Sequence, residues 1–137
     1  MEPATIIKEA REWVGTPFHH QGRHKQVGVD CIGVIQGTGR NLGLLTYDRK
    51  NYSYEPAFGE LEKELENNLI RTDALMPGCI LLMRFIKEPQ HVGLFTDINT
   101  LIHAYSSVGK CVEHTLDDKW KKRIIATYRF KEMRWRQ

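Results

Sequence analysis

The sequence predicts an α+β fold, with N-terminal helices packed on a mainly antiparallel sheet of about five strands. Three observations carry this. Helical spacing of apolar residues is confined to the first half of the chain. After Pro77-Gly78 the pattern changes to short apolar or alternating runs. Those runs lie too close together for helical crossovers between most neighbours, so the strands must pair antiparallel. A length of 137 residues with 41% hydrophobic content suits one core. No repeat, low-complexity tract or linker interrupts it, and a single domain over residues 1–137 is expected.

The first helix is expected between Glu2 and Val14, where Ile6, Ile7, Ala10, Trp13 and Val14 share a face and Gly15-Thr16-Pro17 ends the run. Pro17 to Val29 is polar and rich in His, Gly and Lys, as suits an exposed loop. Asp30 is placed to cap a second helix from Cys31 to about Asn41, with Val34, Ile35, Thr38 and Leu42 on its buried side. Gly33 and Gly37 each cost a helix about 1 kcal/mol relative to alanine. Close approach to another element, a sheet being the natural candidate, is therefore expected there.

Leu44 to Phe58 has little periodicity, and Tyr47, Tyr52 and Tyr54 read as a covering of the core or a cleft lining. Leu61, Leu65 and Leu69, four apart among glutamates, give a surface helix with one apolar stripe. The five strand candidates are Cys79 to Phe85, His91 to Thr96, Leu101 to Tyr105, Lys110 to Thr115 and Ile124 to Phe130.

Cys31 opens a helix, where the dipole and free N–H groups favour the thiolate that attacks carbonyls. His91 and His103 fall on successive strands. A three-residue loop centred on Ile98 would put them on one face as diagonal neighbours about 7 Å apart, and a two-residue loop on opposite faces. With the Cys31 helix lying across the shared face, His91 would take the thiol proton and His103 would orient His91. Cys31 would then form a thioester with an amide carbonyl, its own backbone N–H donating to the oxyanion. Against this, a free cysteine is most often a small buried apolar group. Cys79 and Cys111 read that way. Cys31, His91 and His103 could also hold zinc, but no CxxC or HxxxH pair shortens the loop to be ordered, so no metal is assigned. His19, His20 and His24 read as exposed or substrate-facing, and His114 has no assigned role.

Three cysteines are too few for a disulfide framework. No apolar run is long enough to span a membrane, and Met1-Glu2-Pro3-Ala4 lacks the order of a secretory signal, so synthesis in the cytoplasm is expected. The net charge of +3 is uneven. Eight basic residues against Glu132 leave the last nineteen at +7. A solvated surface explains this; an anionic cell-wall polymer or a nucleic acid is the alternative, nucleic acid ranking last because Trp120, Tyr128 and Trp135 accompany a strand pattern in which aromatics pack.

Several segments together resemble the NlpC-type cell-wall peptidases, papain-like cysteine hydrolases. Trp13-Val14-Gly15-Thr16-Pro17-Phe18 is similar to their pre-nucleophile motif and Asp30-Cys31-Ile32-Gly33 to the nucleophile motif. Pro77-Gly78-Cys79-Ile80-Leu81-Leu82 is similar to their first strand, His91-Val92-Gly93-Leu94-Phe95 to the base motif, and Leu101-Ile102-His103-Ala104 to the third-member strand. His103-Ala104-Tyr105, Trp120-Lys121-Lys122-Arg123-Ile124 and Tyr128-Arg129-Phe130 resemble a subgroup of phage and gene-transfer-agent tail peptidases.

The resemblance implies hydrolysis of a peptidoglycan stem peptide, usually between γ-D-glutamate and a diamino acid, by Cys31, His91 and His103 without a cofactor. It also implies delivery by a tail particle and contacts with phage-like tail proteins. Members often carry tyrosine at the position of Phe18 and serine at that of Ile32, which with the aspartate contact the substrate's free amine. Asp30 alone matches, so Phe18, His19 and His20 are the further substrate-binding candidates. Cys79 replaces a common acidic residue. A catalytically weak module that binds wall or tail, and a thiol acyltransferase or deamidase, are the competing readings.

Overall fold

The structure, a computed structural model, describes residues 1–45, 60–85 and 88–133. The three tyrosines expected to cover the core, together with Arg134, Trp135 and Arg136, lie outside the described residues.

Four helices are described: α1 (Pro3–Arg11), α2 (Cys31–Asn41), α3 (Glu60–Asn68) and α4 (Asp118–Lys121). A short hairpin, β1 (Arg23–His24) and β2 (Gly28–Val29), precedes α2. The main sheet has six strands: β3 (Ile70–Thr72), β4 (Ile80–Phe85), β5 (Glu88–Phe95), β6 (Thr100–Tyr105), β7 (Lys110–Thr115) and β8 (Ile124–Arg129), in the order β3-β8-β4-β5-β6-β7. Every pairing is antiparallel. The five expected strands are all present. The sixth, β3, is an edge strand of three residues, too short to show alternation, and it is held to β8 partly by the Thr72 and Thr127 hydroxyls at 2.6 Å.

Alternation along the strands separates two apolar layers. Ile80, Leu82, Val92, Leu94, Ile102, Ala104, Cys111, Ala126 and Tyr128 face α1, α2 and α3. Cys79, Leu81, Met83, Phe95 and Leu101 face the other way and are covered by Leu116, Met76, Trp120 and Ile124. The α3 stripe behaves as its spacing predicts, with Leu61, Leu65 and Leu69 buried. Its acidic face does more than meet solvent, since Glu66 accepts from the Tyr128 hydroxyl at 2.9 Å and from Arg71 at 3.2 Å. Burial and this carboxylate push the Tyr128 phenol upward.

Helix α2 begins where Asp30 predicts, its carboxylate accepting from the Gly33 N–H at 2.8 Å. Its glycines are pressed close, but not onto the sheet as expected. A Cβ on Gly37 would meet the Trp13 ring at 2.3 Å, and one on Gly33 would meet the Gly22 carbonyl at 2.4 Å. The neighbours are the end of the α1 segment and the β1–β2 hairpin, because the pre-cysteine segment folds back over the helix.

That segment is not the free loop its polarity suggests. Gly15 N–H donates to Cys111 O and Cys111 N–H to Thr16 O, each at 2.8 Å, and Phe18 N–H donates to Gly109 O at 2.8 Å. Val29 in turn pairs with Pro17 and His19. Residues 15–18 therefore cover the β7 edge, and Val29, fully buried, delivers Asp30 and Cys31 to a defined place beside the sheet.

Candidate active site

His91 and His103 are brought together by register. Leu94 pairs with Ile102 and Phe95 with Leu101, so the hairpin turns about Ile98. The two histidines lie diagonally on one face, as the three-residue loop requires. Their rings sit 4.8 Å apart between centroids, with His91 Nε2 and His103 Nδ1 at 2.6 Å. Both residues are buried, at 4% and 0% exposure.

Helix α2, which Cys31 opens, lies elsewhere than expected. Helix α2 packs on the face carrying Val92 and Leu94, not across the face carrying the histidines. The pairing of β5 with β6 stops at Leu94↔Ile102. Continued ladder pairing would commit the Val92 N–H to Ala104; instead it donates to the Cys31 sulfur, as does the Ile32 N–H at the helix start. The sulfur is thereby beside β5 at Val92, the residue next to His91 along the chain.

The electrostatics also differ from the primed thiolate that a helix start suggests. Burial, then the adjacent Asp30 carboxylate, push the Cys31 thiol up to about 12, outweighing the Val92 and Ile32 amides and the Arg23 charge. Burial, then Arg123, push His91 down to about 3. Burial, with His91, His114 and Arg123, push His103 down to about 2. The resting pair is thiol and neutral imidazole.

Around the imidazoles stands an aromatic wall that the strand pattern alone did not reveal. His103 meets Tyr105 at 5.5 Å and Trp120 at 5.0 Å, and Phe85 meets His91 at 5.3 Å. Arg123 lies over Trp120 at 4.4 Å and over Phe85 at 4.9 Å. One member of the basic cluster is thereby built into the site, whereas Lys119, Lys121 and Lys122 are exposed.

Of the substrate-binding candidates, Asp30 is 4% exposed and heavily committed. Oδ1 accepts from Gly33 N–H at 2.8 Å and Arg23 Nη1 at 3.0 Å, and Oδ2 from Gln21 N–H at 2.8 Å, with His20 Nδ1 at 4.0 Å. Arg23 already supplies the cation this carboxylate would seek in a ligand. Phe18 packs against the core. His19 and His20 line a groove of about 380 Å³ with Gln21, Gly22, Arg23, His24, Val27 and Gly28. Cys79 and Cys111 are buried and, like Cys31, free. Among the described residues no group of His, Cys, Asp and Glu is arranged to hold a metal; the two histidine nitrogens face each other rather than a common point. No helix among them is long and apolar enough to cross a membrane.

Fold and site together define a class: an α+β protein with a cysteine opening a helix beside an imidazole pair on an antiparallel hairpin. The model of the NlpC/P60 family matches residues 15–129, and the chain belongs to that family. It is 29% identical over 118 residues to the Murein DD-endopeptidase MepS/Murein LD-carboxypeptidase of Escherichia coli K12, covering 86% of this chain and 57% of that protein. It is 23% identical over 136 residues to the Gamma-DL-glutamyl hydrolase of Bacillus subtilis, covering 94% of this chain and 30% of that protein. The chain therefore spans little more than half the length of the first of these relatives. An NlpC/P60 family protein from Bacillus cereus shares the fold with a TM-score of 0.71 at 15% identity, over 93% of this chain and 40% of that one. The NlpC/p60 domain of the peptidoglycan hydrolase SagA does so with a TM-score of 0.65 at 19% identity, over 93% and 98%.

Proposed function

We propose that this chain is a single NlpC-type cysteine peptidase domain over residues 1–137 that hydrolyses an amide bond in peptidoglycan stem peptides. Cys31 is the nucleophile, His91 the general base and His103 the group that orients His91. The observation that carries the reading is the 2.6 Å contact between His91 Nε2 and His103 Nδ1. It commits Nε2 to His103 and leaves Nδ1 as the nitrogen available to the thiol.

As Cys31 attacks the carbonyl, His91 takes the thiol proton, and the Cys31 backbone N–H donates to the oxyanion. The proton passes to the leaving amine, which departs and leaves a thioester. Water, deprotonated by His91, then releases the acid and restores the thiol. The murein endopeptidase relative supports amide hydrolysis in a wall peptide, and the γ-glutamyl hydrolase relative supports a cut between γ-D-glutamate and the diamino acid. The substrate lies along the groove carrying His19 and His20, with Phe18 and Asp30 shaping its inner end. The motif run from His103 to Phe130 supports delivery by a phage or gene-transfer-agent tail, with tail proteins as partners.

Two observations favour a second reading, a catalytically weak binding module with the same fold: the Cys31 thiol is raised and Asp30 already holds Arg23. Mass spectrometry of products from purified peptidoglycan separates the two. The peptidase releases muropeptide fragments that disappear in Cys31→Ala, whose circular dichroism matches that of the parent. Equal release by both proteins refutes the nucleophile, and no release by either supports the module.

A further inference from the structure

We infer that His114 is a positioning residue that selects the tautomer of the base, through an unbroken chain of three imidazoles anchored on one backbone carbonyl. The inference deepens the peptidase reading and rests on it for its catalytic meaning. His114 lies on β7, where Leu101 pairs with His114 and His103 with Val112, so His103 and His114 are diagonal neighbours on one face. Their Nε2 atoms are 2.8 Å apart, and His114 Nδ1 is 2.9 Å from the Thr115 carbonyl oxygen.

The hydrogens follow by elimination. A carbonyl oxygen only accepts, so His114 Nδ1 carries a proton and donates. In the neutral ring Nε2 is then a bare acceptor, and His103 must donate to it from Nε2. His103 Nδ1 is left bare, so His91 must donate to it from Nε2. His91 Nδ1 is consequently bare, the state a general base requires. Protonation of His114 reverses every link: His114 Nε2 becomes a donor, His103 carries its proton on Nδ1, and His91 carries its proton on Nδ1.

The surroundings support a neutral chain. Among the described residues no carboxylate is hydrogen-bonded to any of the three rings. The groups facing His114 are His103 from β6 and Trp120 from α4 at 5.1 Å, with the Arg123 cation over Trp120. Tyr105 stacked on His103 and Trp120 against both His103 and His114 keep the rings from turning.

Nitrogen-15 NMR of the imidazoles reads the tautomers directly, without substrate, in the parent, His114→Phe and His114→Gln. The parent is expected to show a bare His91 Nδ1 and a protonated Nε2 near neutral pH. His114→Phe should mix the two His91 tautomers. Glutamine, which offers an acceptor to the His103 Nε2–H, should restore the bare Nδ1. In parallel peptidoglycan assays kcat should fall roughly tenfold in His114→Phe with KM unchanged, the scale of a misplaced base. Glutamine should recover most of that loss. A parent with its proton on His91 Nδ1, or a phenylalanine variant with the parent's tautomer and pH profile, overturns the inference. Absence of Cys31-dependent turnover defeats the peptidase reading alone, because the NMR result still decides the tautomer chain.

Discussion

Arg23 and Asp30 meet at 3.0 Å with only 6% and 5% of their side chains exposed. A buried pair that loses one partner leaves an uncompensated charge, at a cost of about 3–5 kcal/mol. Arg23→Met should therefore lower the unfolding free energy by that order in urea titration; a change within about 0.5 kcal/mol would show that water or Gln21 already satisfies the carboxylate. The pair also explains why Asp30 could be read from sequence as a helix cap but not as a committed anion. Capping depends on local spacing, which the chain displays, whereas Arg23 reaches Asp30 only after the β1–β2 hairpin has formed. Cys31 shows the same division. Its place at a helix start is local, but the balance that raises its thiol comes from atoms packed around it.

Helix α2 and the two hairpins that follow set the geometry of the site. Trp13, 1% exposed, fills the space where a Gly37 side chain would project. Gly37→Ala gains about 1 kcal/mol of helix propensity and incurs about 1–3 kcal/mol of overpacking. A net loss of about 1 kcal/mol is expected by chemical denaturation, and a stabilised variant would mean that the ring moves aside freely. The β5–β6 register could be reasoned from the sequence because a three-residue turn about Ile98 makes a definite parity prediction. The β6–β7 hairpin obeys the same rule, and applying it there would have put His114 beside His103. The parting of β5 from β6 had no such signal. It falls where the Val92 N–H turns to the Cys31 sulfur.

The whole molecule carries its buried imidazoles as a liability in acid. His91 and His103 hold folded-state values of about 3 and about 2 against 6.5 for the free side chain. As pH falls below 6.5 the unfolded chain binds protons that the folded one refuses, so stability present at neutral pH is lost down to about pH 3. Each imidazole contributes a slope of about 1.4 kcal/mol per pH unit. Glu113, held below the usual carboxylate range by its hydrogen bond to Arg11, adds a loss of the same sign at lower pH. Urea midpoints should drop clearly between about pH 7 and about pH 5; a flat profile would mean that the two rings are protonated in place.

Periodicity, turn residues and capping are properties of neighbours along the chain. They were enough to place the first three helices, the five longer strands, the α+β class and the turn that unites His91 with His103, but not the single turn of α4. The facing of α2, the neutrality of the cysteine and histidine, the capture of Asp30 by Arg23 and the third imidazole all depend on groups remote in sequence. Burial and electrostatic energy follow distance through space, and that distance exists only once the sheet has closed against its helices.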